Sequence, residues 1–155
     1  MDHGIRAAEL FLEGRSCSQA VVLAFSDITG LDDHFAAKIS ASFGGGMGRM
    51  REVCGSVSGM LMVLGLLYGY DDPGEKDCNK KAYYPDVQKL MNKFKEECGS
   101  YVCREILKNP PSDPNPTPRT AEFYAKRPCA RMCMVAARIL DEYIAEHPDY
   151  EVPCR

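Results

Sequence analysis

From Val53 to Tyr70 the chain runs for 18 residues without one charged side chain, although charged residues make up 26% of the whole. Any fold must enclose that segment or put it in a membrane. Its length just reaches the spanning threshold of about 18–20 residues. Gly55, Ser56, Ser58, Gly59, Gly65 and Gly69 dilute it, however, and no second apolar run follows. The segment therefore reads as a central buried helix and not as a membrane span. Gly55 and Gly59 lie one turn apart and would let a neighbouring helix cross closely.

Around this helix the pattern is helical throughout. Ile5, Ala8, Leu10, Phe11 and Leu12 make a short amphipathic helix ended by Gly14. Ser16 and Gln19 form the spacing of a capping box, opening a helix through Val21, Val22, Leu23 and Phe25. Asp32 or Asp33 can cap a third helix with Phe35, Ala36, Ile39 and Phe43, which the run Gly44-Gly45-Gly46-Met47-Gly48 must break. After the turn Asp71-Asp72-Pro73-Gly74, Val87, Leu90, Met91 and Phe94 share one face of a helix reaching Cys98, and Gly99 closes it. A short helix from Tyr101 to Lys108 precedes residues 109–118, where five prolines in ten residues predict an extended surface crossing. Arg127-Pro128-Cys129 opens a last helix through Met132, Val135, Ala136, Ile139, Leu140 and Tyr143, leaving 148–155 as a C-terminal tail. With no alternating strand pattern and no repeat, the expectation is an all-α single domain over 1–155, a bundle of about five to seven helices.

Chemistry is most visible in the cysteines. There are 8 of them, beside 8 methionines and no tryptophan. The first residues carry no basic region followed by an apolar run, so no secretory signal is expected and the chain reads as cytoplasmic. In such a reducing compartment structural disulfides are rare, which leaves metal, redox chemistry or plain burial as explanations. A formal charge of −3 and a pI near 5.6 offer no basic face for nucleic acid.

Position separates the thiols. Cys17, Cys54 and Cys129 each fall in the leading turn of a helix, where free N–H groups and the helix dipole favour an anion. Arg15, Arg51, Arg127 and Arg131 are their sequence neighbours, and Cys103 adjoins Arg104. A dipole alone shifts a thiol by roughly 0.7 pH units, so a reactive site needs a second stabiliser such as an arginine or a neighbouring thiol. Packing is the alternative for every one of them. Cys78 and Cys98 read as packed or passively exposed, Cys154 as a mobile tail thiol. Cys133 pairs with Cys129 as C-x3-C on one face or belongs to the core. No C-x2-C spacing occurs, so the usual zinc and thioredoxin patterns are absent, and His3, His34 and His147 stand alone. The glycine run ends in Arg49 and so is no P-loop; it reads first as a tight turn, second as an anion cradle with Arg49 or Arg51.

These segments resemble a family of small redox-active proteins labelled by the cysteine pattern C-GCAxxG-C-C. The matching stretches are Ser16-Cys17-Ser18-Gln19-Ala20-Val21, Phe43 to Arg49, Cys54-Gly55-Ser56-Val57-Ser58-Gly59, Met62 to Leu66, Cys103 to Leu107 and Pro128-Cys129. The resemblance implies that Cys17, Cys54, Cys103 and Cys129 are the functional cysteines, with Ser56 standing where the family has alanine. Its hydroxyl could hydrogen-bond a nearby thiolate. Arg51, Arg127, Arg49, Gly44, Gly45, Gly46 and Cys133 are the expected supporting residues. Three readings follow. The first is thiol–disulfide electron transfer with an unidentified redox partner and no cofactor, started by a low-pKa Cys54 or Cys129. The second is a metal or iron–sulfur module on the same four thiolates; the third is a helical adaptor linked to a membrane transporter.

Overall fold

The computed structural model describes residues 1–154; Arg155 lies outside the described residues. Six helices have eight residues or more: α1 (His3–Leu12), α2 (Cys17–Ala24), α3 (Asp33–Ser40), α4 (Gly55–Tyr68), α5 (Cys78–Cys98) and α6 (Cys129–Glu146). Short helical turns at Ser26–Thr29, Cys103–Ile106 and Ala121–Lys126 join them. Three of these helices begin at a side chain that caps them. Asp2 caps α1, Asp32 caps α3, and Ser16 with Gln19 closes a full capping box on α2.

The uncharged segment is the central helix α4. Val57, Met60, Val63 and Leu64 are wholly enclosed among Val21, Phe25, Leu90, Phe94, Ile139, Leu140 and Tyr143. The close crossing falls at the two glycines. A Cβ on Gly59 would lie 2.8 Å from Ser18 O, and one on Gly55 would lie 2.8 Å from Phe43 O. α2 therefore rests directly on the backbone of α4. α1 packs against α6 and α2, so the two chain-terminal helices lie side by side. His3 joins them: its Nδ1 lies 2.6 Å from an Asp141 carboxylate oxygen and its Nε2 3.1 Å from Asp27. Among the described residues no helix is long and apolar enough to cross a membrane.

Four details depart from the sequence reading. Phe35 and Ile39 of α3 are more than half exposed (53% and 52%), and only Ala36 and Ser40 of that helix are buried. α5 begins at Cys78, ahead of Pro85, and Ala121–Lys126 forms a helix that the proline-rich stretch concealed. The cysteine assignments change most. Cys78 and Cys154 are joined in a disulfide, with Cα atoms 6.1 Å apart. Neither is passive or mobile: Cys154 N donates to Asn79 Oδ1 (2.9 Å), and Asn79 Nδ2 donates to Cys154 O (2.6 Å). The expectation of free thiols only fails here because the tail folds back onto the start of α5, a contact no local pattern announces.

Candidate functional site

The other cysteines of interest arrive by four separate routes. Cys17 is the first residue of α2, held by the Ser16 box. Cys54 is the cap residue of α4, and Cys129 opens α6 behind Pro128, with Cys133 one turn further on. Cys103 opens a single helical turn. It is set beside Cys54 by an isolated antiparallel bridge between Val53 and Val102. Cys54 N donates to Tyr101 O (2.8 Å) and Cys103 N donates to Glu52 O (2.6 Å). The bridge is two residues long and cannot be read from periodicity.

Glycines make the convergence sterically possible. A Cβ on Gly44 would stand 2.7 Å from Ser16 Cβ, one on Gly46 would stand 2.7 Å from Cys103 Cβ, and one on Gly55 would stand 3.2 Å from Cys17 Sγ. Each expected glycine thus admits a wall of the site. Residues Gly45 to Arg49 all have positive φ, as does Arg51, so the run is a left-handed turn and not a simple link between helices. Left-handed backbone costs a side-chain-bearing residue roughly 1–2 kcal/mol, and Met47, Arg49 and Arg51 all adopt it. What the turn achieves is the inward placement of two arginines. Arg49 donates to Asp113 O (2.8 Å) and Thr117 Oγ1 (2.8 Å), while Arg51 donates to Pro111 O (3.0 Å). The proline-rich crossing is thereby tied down over the thiols.

Two adjoining cavities result. An inner one of about 30 Å³ is lined by Cys17, Cys54, Cys103 and Cys129 together, with Arg51 and Ser56 among its other walls. An outer one of about 260 Å³ opens from it and is lined by Cys17, Cys129, Arg49, Arg51, Arg119 and Arg127. All four expected cysteines therefore share one pocket. Ser56 Oγ sits 3.4 Å from Cys133 Sγ, and Cys133 Sγ points at Cys17 O (3.7 Å), so Cys133 lies directly behind the group. Cys98 does not join it; its neighbours are Arg131 and Glu97. Arg119 went unnoticed in the chain. It stacks on Phe11, its guanidinium 4.4 Å from the ring centre, and donates to Phe11 O and Arg15 O. Its place after five prolines signalled only a loop.

Electrostatics reverse one expectation. Cys54 and Cys129, taken as thiols of lowered pKa, are pushed up instead. Burial is the main cause for both, and a negative charge on Cys17 is the next; Cys129 rises from 9.0 to about 12. Cys103 and Cys133 are raised by burial as well, with Arg51 opposing the rise at Cys103 from 3.8 Å. A helix dipole contributes about 1 kcal/mol to a thiolate, less than one pH unit. Withdrawal from water outweighs it at every one of these positions. Cys17, half-buried and shared by both cavities, is the common neighbour whose charge acts on all four. Among the described residues no three His, Cys, Asp or Glu side chains are arranged to hold a metal ion.

No curated protein and no solved structure matches this chain significantly. Residues 15–143 match the protein family described as "Putative redox-active protein (C_GCAxxG_C_C)". That span includes Cys17, Cys54, Cys103 and Cys129 and every residue lining the two cavities except Phe11. The chain belongs to the C_GCAxxG_C_C family.

Proposed function

We propose that the protein is a thiol–disulfide oxidoreductase in which Cys17 is the attacking thiol and Cys129 the resolving one. The observation carrying this reading is the position of Cys17: half-buried, facing the outer cavity, with the buried thiols Cys54 and Cys103 beside it in the inner one. Cys129 is the other cysteine common to both cavities, whereas Cys54 and Cys103 face only the inner one.

The sequence of events follows from the charges. Cys17 Sγ, as thiolate, attacks one sulfur of a disulfide bound in the outer cavity. The substrate S–S bond breaks, and the departing sulfur leaves as a thiolate that takes a proton. Cys17 is then neutral in a mixed disulfide. The negative charge that opposed ionisation of Cys129 has gone, so Cys129 gives up its proton more readily at this point than before. It attacks Cys17 Sγ, forms a Cys17–Cys129 disulfide and releases the second half of the substrate as a thiol. Two electrons pass to the substrate, whose disulfide becomes two thiols. Two equivalents of an external low-molecular-weight thiol, oxidised to their own disulfide, return the pair to its reduced form. Burial keeps the other thiols protonated and out of the exchange.

Reaction with a small aromatic disulfide, quenched by acid and mapped by mass spectrometry, tests this. The Cys129→Ser variant should trap the mixed disulfide on Cys17, and the unmodified protein should accumulate the Cys17–Cys129 bond. An unchanged rate in Cys17→Ser, or a trapped adduct on Cys54 or Cys103, would defeat the assignment.

A further inference from the structure

Arg51 is 4% exposed, and its Nη2 has no hydrogen-bond partner. Its Nε and Nη1 have Pro111 O and Cys103 Sγ as acceptors, but a buried guanidinium N–H left without one is costly. It faces the outer cavity together with Arg49, Arg119 and Arg127, and no Asp or Glu lines that cavity. The carboxylate nearest in reach, Asp113, is half exposed and lies 3.7 Å from Arg49 alone. Arg127 lies over the face of Phe123, 5.2 Å from the ring centre, and Glu122, which shares a surface pocket with it, is paired with Lys126. Of the two thiols that line this cavity, burial keeps Cys129 protonated, so the Cys17 sulfur alone can set a negative charge against four guanidinium groups.

From this we infer that the outer cavity is an anion subsite: it binds a small molecule through a carboxylate or phosphate group, held by Arg51 and Arg127 beside Cys17. The matching of a planar guanidinium with a two-oxygen anion supplies both strength and direction. Gly45 is a positioning residue for it. A Cβ there would lie 3.0 Å from Arg49 Cγ and 3.5 Å from Arg51 Nη1, at a φ of +66° that favours glycine. The inference leans on the thiol-exchange reading only in taking the bound anion to be part of the disulfide substrate; an anionic disulfide would then be reduced in preference to a neutral or cationic one.

Two measurements test it, neither of which needs disulfide exchange to occur. Inorganic phosphate titrated calorimetrically into the Cys17→Ser protein should bind, and Arg51→Gln or Arg127→Gln should weaken that binding at least tenfold. Arg127 is half-buried, less enclosed than Arg51, so its variant decides the matter where Arg51→Gln does not fold. Iodoacetate and iodoacetamide, alike in size but not in charge, should then be compared at Cys17 in the native and the urea-unfolded chain. Folding should favour the anionic reagent at least tenfold, and Arg127→Gln should remove that preference. Phosphate that does not bind, or binds equally well to both arginine variants, overturns the subsite. Phosphate binding without a charge preference at Cys17 overturns its placement beside the thiol. Loss of disulfide exchange with both results intact would instead refute only the thiol reading.

Discussion

Cys17 and Cys129 have the same local setting in the chain, and both are half-buried. Both open a helix, both have an arginine within two residues, and both face the same cavity. Yet Cys129 is held protonated up to about 12 by burial and by the charge on Cys17. This has a consequence for stability. In the unfolded chain the thiol ionises near its ordinary 9.0, whereas the folded protein retains the proton to about 12. The native state therefore binds more protons in that interval. Its advantage from Cys129 is complete below about pH 9 and drains away as pH rises towards 12, by about 1.4 kcal/mol per pH unit for each such thiol. Urea unfolding across the alkaline range should show the midpoint falling above pH 9, and Cys129→Ala should flatten that fall. A midpoint independent of pH would show that the thiol is not withdrawn from water in solution.

At the scale of the element, α4 and the left-handed turn carry the site between them. Three glycines in α4 look alike in the sequence, but their surroundings do not. A Cβ on Gly59 would press on Ser18 O at 2.8 Å and Val21 Cβ at 3.0 Å, whereas one on Gly65 would meet only Tyr83 Oη at 3.5 Å. Gly59→Ala should therefore lower stability by about 1–3 kcal/mol through overpacking of α2 on α4. Gly65→Ala should raise it by up to about 1 kcal/mol through helix propensity. Thermal melts of the two variants check both signs. Equal effects would mean that the crossing is looser than its glycines suggest. Gly55 is of the first kind, and since its neighbour is Cys17 Sγ itself, a side chain there would move the attacking sulfur as well.

For the whole molecule, the disulfide between Cys78 and Cys154 closes a loop of 76 residues that includes α6 and the site's cover. A cross-link over that separation removes about 4 kcal/mol of freedom from the unfolded chain. Cys154→Ser should be less stable than the oxidised protein by a similar amount and equal in stability to the reduced one, as chemical unfolding with and without a reductant would reveal. A variant no less stable than the oxidised protein would show that the bond does not form. Neither Cys78 nor Cys154 lines the site, so the reactivity of Cys17 should be the same in this variant.

How much of this could be read in advance divides along a physical line. Capping residues, the Val53–Tyr70 run and the glycines at 55 and 59 act on neighbours within a turn or two of themselves. The amino-acid sequence by itself therefore determined the long helices, the starts of α2, α3 and α6, and which helix would be central, but not where α5 begins nor the helix at Ala121–Lys126. It also marked Cys17, Cys54 and Cys129 through their helix-opening positions, and Cys103 with them through the family resemblance. Tertiary structure alone decided the rest: the Val53–Val102 bridge, the turning inward of Arg49 and Arg51, the part of Arg119, the outward face of Phe35 and Ile39, and the pairing of Cys78 with Cys154. It decided the thiol chemistry for the same reason. Helix position is a local property, but removal from water is the sum of everything that packs around a sulfur, and at these sulfurs that sum exceeds what a helix end supplies.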